Sequence, residues 1–517
     1  MRGHSLAPSI CRALLGAGVL AVLCSLGPVF SQSLPTGGQP DPTLLPVATT
    51  SQVPLTTAYN ALNVPAIAAG GSYLDPTTGV KVYKITSATF PTTSSGWWHD
   101  YAEGGDEVSL PYKGTTRAVL VNSSSGYWIA DFTPGVGVSN GRALTGSFVP
   151  VHDQAFVFST NPATPYYAYV SNGSSIRRID IRTMTEAPGD GWPVLNEPEA
   201  VWLQQSENDA FFTWMRGQSG PVVVGYEPAT STLKTQTVSN VDQPQIDRNA
   251  SSRYVAINTT PQEGLILWDF SRNVTVCTAA GDPGPQFNHM AALHDRWMGL
   301  NWNTSAPHNY DQFLTDCSNE NLGSPANAND YYANGSWNQH PASLDDQWVL
   351  FSTQEGLTPG VSGYLAPGGM IFVTANGQRR LLGHPYNTST NYTTYSFARL
   401  SADGRYVMFT ADMNGSGRSD VFLAEVPLSA GADTTPPTVS MTAPTSGATV
   451  SGTVTVSASA SDNAGVVGVQ FKLDGANLGA EDTTSPFLQR FPYLNRRCAR
   501  RRREHRQFGR GQCDGGE

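Results

Sequence analysis

One phrase recurs along this chain and limits what it can fold into. A short polar turn leads into an apolar strand of five or six residues. The strands begin at Ala118 (AVLVN), Ala155 (AFVFST), Ala210 (AFFTWM), Tyr254 (YVAIN), Trp297 (WMGLN), Trp348 (WVLFST) and Tyr406 (YVMFT). Their spacings are 37, 55, 44, 43, 51 and 58 residues. Several of the turns hold Asp: His152-Asp153-Gln154, Glu207-Asn208-Asp209, His294-Asp295-Arg296, Asp345-Asp346-Gln347 and Asp403-Gly404-Arg405. Such gaps suit four-stranded sheets joined by loops of variable length. One such sheet cannot bury both of its faces alone, so the copies must pack on one another.

The clearest copy is Ser401–Pro427, SADGRYVMFTADMNGSGRSDVFLAEVP. Arg405–Thr410 and Asp420–Val426 read as strands, and the Gly- and Asn-rich stretch between them as a hairpin turn. Ser-x-Asp-Gly before an apolar strand, then a polar turn and a second strand, resembles the repeat of TolB-like β-propellers. The resemblance implies an all-β ring of blades. Composition agrees: 14% charged residues, 51 Gly and 36 Pro fit turns and strands better than helices. The last copy lacks an outer strand, since Asp420–Val426 runs into PLSAGADTTPP. A spare strand lies at the other end, in Val80–Thr86. A ring that borrows this strand explains both facts and leaves no open edge. Seven blades over about Gly71–Ala430 follow, with six or eight as alternatives because Trp97–Tyr112 and Asn301–Trp337 are poorly patterned. The phrases GSYLDPTTGVKVYKIT (71–86) and GYEPATSTLKTQTV (225–238) are similar to each other.

The flanks read differently. Residues 1–31 have the pattern of a secretory signal, with Arg2 and Arg12 before the apolar run Ala13–Leu26. No other apolar stretch is long enough to span a bilayer. Residues 32–70 begin rich in Pro, Thr and Ser and read as an extended leader. Residues 431–437 are a linker. PPTVSMTAP, SGTVTVSASASD and VQFKLDG in 438–486 resemble the N-terminal half of bacterial immunoglobulin-like modules, which implies a partial β-sandwich. Residues 487–517 hold nine Arg and three acidic residues and read as an aberrant or disordered tail. That tail has a charge of +6, so the rest of the chain holds −16 of the net −10. An acidic, secreted body gives no support for nucleic-acid binding.

For chemistry, the chain lacks a G-x-S-x-G elbow, H-E-x-x-H, a Walker loop and a dinucleotide fingerprint. Propellers bind ligands where the innermost strands converge. Asn288-His289 and Gln339-His340 each stand just before an anchor, and His99 opens the first inner segment. Together these five residues make a candidate set for a divalent metal. The arrangement is distantly similar to propeller polysaccharide lyases such as oligogalacturonate lyase. A lyase would also need a base and a cation, for which Tyr101, Tyr395 and Arg399 are available. Asp412, Asn414, Ser416 and Asp420 follow the first part of a calcium loop, with Leu423 where an EF-hand has Glu. Trp97, Trp98, Trp302 and Trp337 are candidates for stacking on sugars. Cys277 and Cys317 can pair in an oxidising compartment. Asn172, Asn258 and Asn391 open glycosylation sequons. The expected partners are an extracellular polysaccharide or a protein ligand.

Overall fold

The computed structural model describes residues 38–429 except 50, 100–106, 219, 260–263, 280–286, 302–308, 324–341, 345–346, 353–367, 375 and 389–395, together with parts of 11–24 and 438–491. Contacts divide the chain into two units, Gln39–Ser429 and Met1–Gly38 with Ala430–Glu517.

In the larger unit the repeated phrases become small antiparallel sheets that follow one another in chain order. Sheet 1 is Arg117–Ser123, Gly126–Thr133 and Gly137–Ala143; single bridges, Trp98 to Asn122 and Val108 to Val119, stand where its first strand would be. Sheet 2 is Phe156–Phe158, Tyr167–Ser171, Ile176–Asp180 and Thr185–Glu186. Sheet 3 is Ala200–Gln205, Phe212–Arg216, Val222–Glu227 and Thr232–Thr237. Sheet 4 is Val241–Ile246, Tyr254–Thr259, Gly264–Asp269 and Val274–Ala279. Sheet 5 is Phe287–Ala292, Arg296–Asn301, Asn309–Leu314 and Asn319–Gly323. Sheet 6 is Ala342–Leu344, Trp348–Ser352, Met370–Thr374 and Arg379–Gly383. Sheet 7 is Arg399–Leu400, Tyr406–Ala411 and Asp420–Glu425, then Lys81–Lys84 and Ser72–Leu74.

From sheet 2 to sheet 7, the first strand of each sheet packs on the first strand of the next. Apolar layers fill the space between consecutive sheets. Ala168, Val170 and Ile179 of sheet 2 meet Ala118, Leu120 and Ile129 of sheet 1. Leu265 and Leu267 of sheet 4 meet Met290 and Trp297 of sheet 5. Met408 and Leu423 of sheet 7 meet Val119 and Phe132 of sheet 1. The second strands are buried on both faces, which is why they read as continuous apolar runs rather than alternating ones. This radial stacking of small sheets is propeller-like.

Three expectations need correction. An innermost strand is expected just before each anchor, yet at Ala155 the anchor strand itself, Phe156–Phe158, is the first strand of sheet 2 and Tyr167–Ser171 is the second. Two apolar runs flank Asn161–Pro165 there, and the sequence does not say which is central. Residues 32–70 were expected to lack a core. Instead a helix, Thr56–Leu62, buries Tyr59, and Leu45, Ala48 and Val64 are buried as well. This strap pairs with the outer strand of sheet 6: Ala48 N–H donates to Arg379 O, and Leu381 N–H to Pro46 O. The third concerns 487, the expected start of the tail, because Phe487–Phe491 pairs antiparallel with Val454–Ser461.

In the smaller unit Thr438–Ala443, Val454–Ser461 and Phe487–Phe491 form a three-stranded sheet. Its core is Val454, Val456, Ala458, Val469, Phe471 and Phe487. The apolar run expected as a signal forms a hairpin, Cys11–Gly16 with Val19–Cys24, which adds in parallel to Val469–Leu473. An unpaired strand edge attracts such a segment.

The two ends of the larger unit are joined at sheet 7. Lys81–Lys84 pairs antiparallel with Asp420–Glu425, Lys84 opposite Phe422. Lys84 Nζ lies 3.2 Å from Asp420 Oδ2, with side-chain exposures of 2% and 5%. Its ammonium also donates to the carbonyls of Val64 and Pro65. Removing one member of a buried pair strands the other. Lys84→Met is expected to lower the unfolding free energy by about 3 kcal/mol, the low end of that range because Arg418 still pairs with Asp420. Urea denaturation followed by fluorescence checks this, and an unchanged midpoint would refute it.

Candidate functional site

The Asp-bearing turns face neighbouring sheets. Asp403 accepts a two-pronged bond from Arg117 of sheet 1, at 2.9 and 2.5 Å. Asp209 accepts from Ser159 and Thr160 of the loop after the first strand of sheet 2 and from Tyr169 on its second strand. Asp295 N–H donates to Asp247 at the end of the sheet 4 first strand, at 3.2 Å. His294 pairs with Glu207 across the same ring of turns, at 3.1 Å. Burial pushes the Asp209 carboxyl up despite its donors. Burial likewise pushes Asp247 up to about 6, against the bonds from Asn249, Ser252 and Asp295. The turns at Asp209, Asp295 and Asp403 are lateral latches, and the carboxylates of Asp209, Asp247 and Asp403 are engaged by protein donors.

Of the metal candidates, His99 is the one whose side chain is described. His99 is buried, with Nδ1 2.9 Å from Glu107 Oε2 and Nε2 2.8 Å from Ser396 O. A ring whose two nitrogens both face oxygen acceptors directs no lone pair at a cation. Among the described residues no group of three or more His, Cys, Asp or Glu is disposed to hold a metal. Asn288 and His289 lie on the sheet 5 first strand, where the register shifts between Asn288 and Met290. Gln339 and His340 lie outside the described residues.

The calcium candidates are dispersed by other bonds. Asp420 is held by Lys84, Arg418 and Thr86. Asp412 accepts from the backbone and hydroxyl of Thr388, both at 2.8 Å. Ser416 donates to Arg418 O, and Asn414 donates to Asn60 at 3.5 Å. The loop is a hairpin turn tied to the strap.

Of the tryptophans, Trp97 is a core residue, fully buried, with Nε1–H donating to Ser87 O. Trp98 is half-buried beside Asn122; Trp302 and Trp337 lie outside the described residues, as do Tyr101 and Tyr395. Arg399 is buried on the sheet 7 first strand. Asn258 is buried in a strand, so the folded protein cannot present it as a sequon. Asn172 caps a turn through Ser174 and Ser175; Asn391 lies outside the described residues.

Cys277 and Cys317 form a disulfide between the outer strand of sheet 4 and a turn of sheet 5, with Cα atoms 6.2 Å apart. It staples the two sheets whose first strands include Asp242 and His289.

Sequence reading missed the amides of the first strands. Gln204 bridges sheets 3 and 4, its Nε2 donating to Pro244 O and its Oε1 accepting from Ile246 N–H. Gln205 donates to Phe158 O of sheet 2. Gln243 and Gln245 are buried on the sheet 4 first strand. The signal was visible as Gln-Gln at 204–205 and Gln-Pro-Gln at 243–245. Register shifts mark the first-to-second strand ladders of sheets 3, 4 and 5 alike: between Val201 and Gln204, Val241 and Gln243, and Asn288 and Met290. Such bulges re-aim side chains and cluster beside binding sites. A separate surface cavity of about 420 Å³ lies between the strap (Leu44–Pro46) and sheet 7, with Lys81, Arg405 and Glu425 on its wall.

Residues 437–492 match the bacterial Ig domain family, past the expected end at Pro486. No curated protein matches the chain. Solved structures of similar shape include an oligogalacturonate lyase from Vibrio parahaemolyticus, 12% identical, covering 70% of this chain and 99% of that one, TM-score 0.49. Others are the β-propeller domain of Myceliophteria thermophila Cps50 (Swd1), 12% identical over 63% and 98%, TM-score 0.41, and Kuenenia stuttgartiensis hydrazine synthase, 10% identical over 62% and 96%, TM-score 0.37. No residue role is carried over from them. The chain is an all-β protein that joins a propeller-like unit to a bacterial Ig-type segment. No described helix is long and apolar enough to cross a membrane.

Asp247 yields a test of the latches. Its folded pKa stands above the ordinary carboxylate value, so its stabilising share is complete below about pH 4 and is lost as pH rises through 6. The gap in unfolding free energy between wild type and Asp247→Asn is expected to move against the wild type by up to about 3 kcal/mol from pH 4 to pH 7. Parallel denaturation series check this; a gap independent of pH would refute it.

Proposed function

We propose that this protein is a secreted or surface-attached propeller that binds an extracellular polymer, carbohydrate or envelope material. The observation that supports this most is the bacterial Ig match at 437–492, placed directly after the propeller-like unit. In this reading residues 1–31 are the export signal, and the strap from Gln39 onward stays with the mature chain. The ring has seven blades in a TolB-like arrangement. The Lys81–Lys84 ladder on sheet 7 and the packing of sheet 7 on sheet 1 support closure.

A propeller lyase is the competing reading, favoured by the position of His289 on the bulged first strand of sheet 5. One experiment separates the two. The mature protein is incubated with insoluble and soluble polysaccharides, uronate polymers among them. Retention without new ultraviolet absorbance at the wavelength of unsaturated uronates is expected. Turnover that vanishes in His289→Ala would overturn the binding-only reading, and failure to be retained on any polymer would overturn the carbohydrate reading.

The stapled seam gives a further expectation. Cross-linking over a sequence separation of 40 residues is worth about 4 kcal/mol in the chain-entropy model. Cys277→Ser with Cys317→Ser is expected to lower denaturation stability by about that amount and to weaken polymer retention, because the seam supports the first strands. Unaltered stability would refute the staple's role.

A further inference from the structure

We propose that the surface cavity between the strap and sheet 7 is a binding site for a free α-amino acid with an apolar side chain; this stands apart from the polymer reading above. The cavity holds about 420 Å³ and is walled by residues 44–46 of the strap together with 78–81, 405–406 and 425–428. That volume lies toward the small end of ligand sites. Leu44 and Leu428 stand at its wall with exposures of 57% and 36%.

Two opposite charges of this wall belong to facing positions. Val82 stands opposite Ala424, so the next pair outward in the same register is Lys81 and Glu425. Facing residues have Cβ atoms about 5 Å apart, and opposite charges there ordinarily pair. Here Tyr83 engages both instead. Its hydroxyl donates to Glu425 Oε1 at 2.7 Å. The Lys81 ammonium lies over its ring, 4.7 Å from the centroid, because residues two apart share one face of a strand. Among the described residues Lys81 has no ion-pair partner, and Glu425 has no bond besides that from Tyr83. A second cation, Arg405, belongs to the same wall. Its Nε lies 3.7 Å from Asp403, which takes its closer bonds from Arg117.

A ligand that satisfies this wall carries both signs close together. In a free α-amino acid the ammonium and the carboxylate share one carbon. The ammonium donates to Glu425, and the carboxylate accepts from Lys81 with Arg405 beside it, both as charge-assisted bonds. The side chain then lies along Leu44, Pro46 and Leu428. The wall also discriminates by repulsion. A plain carboxylate would bring a like charge to Glu425, and a plain amine would meet two cations.

The test uses the full chain and three related probes: L-leucine, isocaproate, which lacks the ammonium, and isoamylamine, which lacks the carboxylate. Titration calorimetry and melting temperature are the readouts. L-leucine is expected to bind, with each one-charge analogue at least about tenfold weaker. Glu425→Gln, which keeps an acceptor for Tyr83, is expected to erase the preference for leucine over isocaproate. Lys81→Met is expected to weaken leucine at least about tenfold. Leu44→Asp, at an exposed strap position, is expected to weaken leucine while the melting temperature of the free protein stays unchanged. If leucine gives neither heat nor a melting shift, or if isocaproate binds as tightly, the proposal fails. If leucine binds the charge variants as it binds the wild type, its site lies elsewhere and the proposal fails. The analogue comparison is made on the wild type, so it decides even where a variant folds poorly. Polysaccharide retention is read separately, so either reading can fall without the other.

Discussion

The larger unit depends on the contact between Lys84 and Asp420. The two residues are far apart in sequence and come together at the centre of sheet 7. Taking both charges out of water is expensive, and the pair is tolerable because its remaining valences are met. Asp420 also takes Arg418 and Thr86, and Lys84 takes two strap carbonyls. The pair does more than attract. A one-residue slip of Lys81–Lys84 would turn the ammonium to the opposite face and place Tyr83 or Ile85 against the carboxylate. The ion pair therefore selects the register, while Val82, Tyr83 and their apolar neighbours supply the burial.

The recurrent Asp turns extend the same logic around the unit. Adjacent sheets share apolar layers, which are adhesive but hold no fixed orientation. Directional bonds from Asp403 to Arg117, from Asp209 to the Ser159–Tyr169 hairpin, and from Asp295 to Asp247 set the angle at which each sheet meets the next. The most conspicuous motif in the sequence is thus an element of construction. The carboxylates of Asp209 and Asp403 are consumed by the fold.

What was legible in the sequence follows from range. The anchors were readable because an apolar second strand is a local property, and the spare strand at Val80–Thr86 because its absence elsewhere left a gap. Residues whose environment is made by distant partners were not readable. His99 looks like a ligand until Ser396, 297 positions away, takes its second nitrogen. Asp420 looks like part of a calcium loop until Lys84 arrives. The strap was missed because four buried residues, Leu45, Ala48, Tyr59 and Val64, are scattered among Pro, Thr and Ser without the spacing of a helix or strand. The amides at 204–205 and 243–245 were plain to see, but only register showed that they line successive first strands.

The strap also shows how a polar cluster fastens a segment that has little apolar surface. Asp75 is buried and accepts from Tyr59, Thr77, Thr78 and the backbone of His384. Gly383 lies so close that an added Cβ would stand 2.7 Å from Asp75 Oδ2; any larger residue would push the carboxylate off its donors. Tyr59 stacks on Tyr386 at 4.5 Å, and His384 Nε2 faces Gln52 O at 3.1 Å. Burial lowers the His384 pKa, and a ring protonated at Nε2 donates to that carbonyl. Strap, hairpin turn and the segment after sheet 6 are thus joined by hydrogen bonds that none of the three could satisfy alone. A Pro- and Thr-rich leader gains order by completing another element's polar groups, because it lacks the apolar area to form a core of its own.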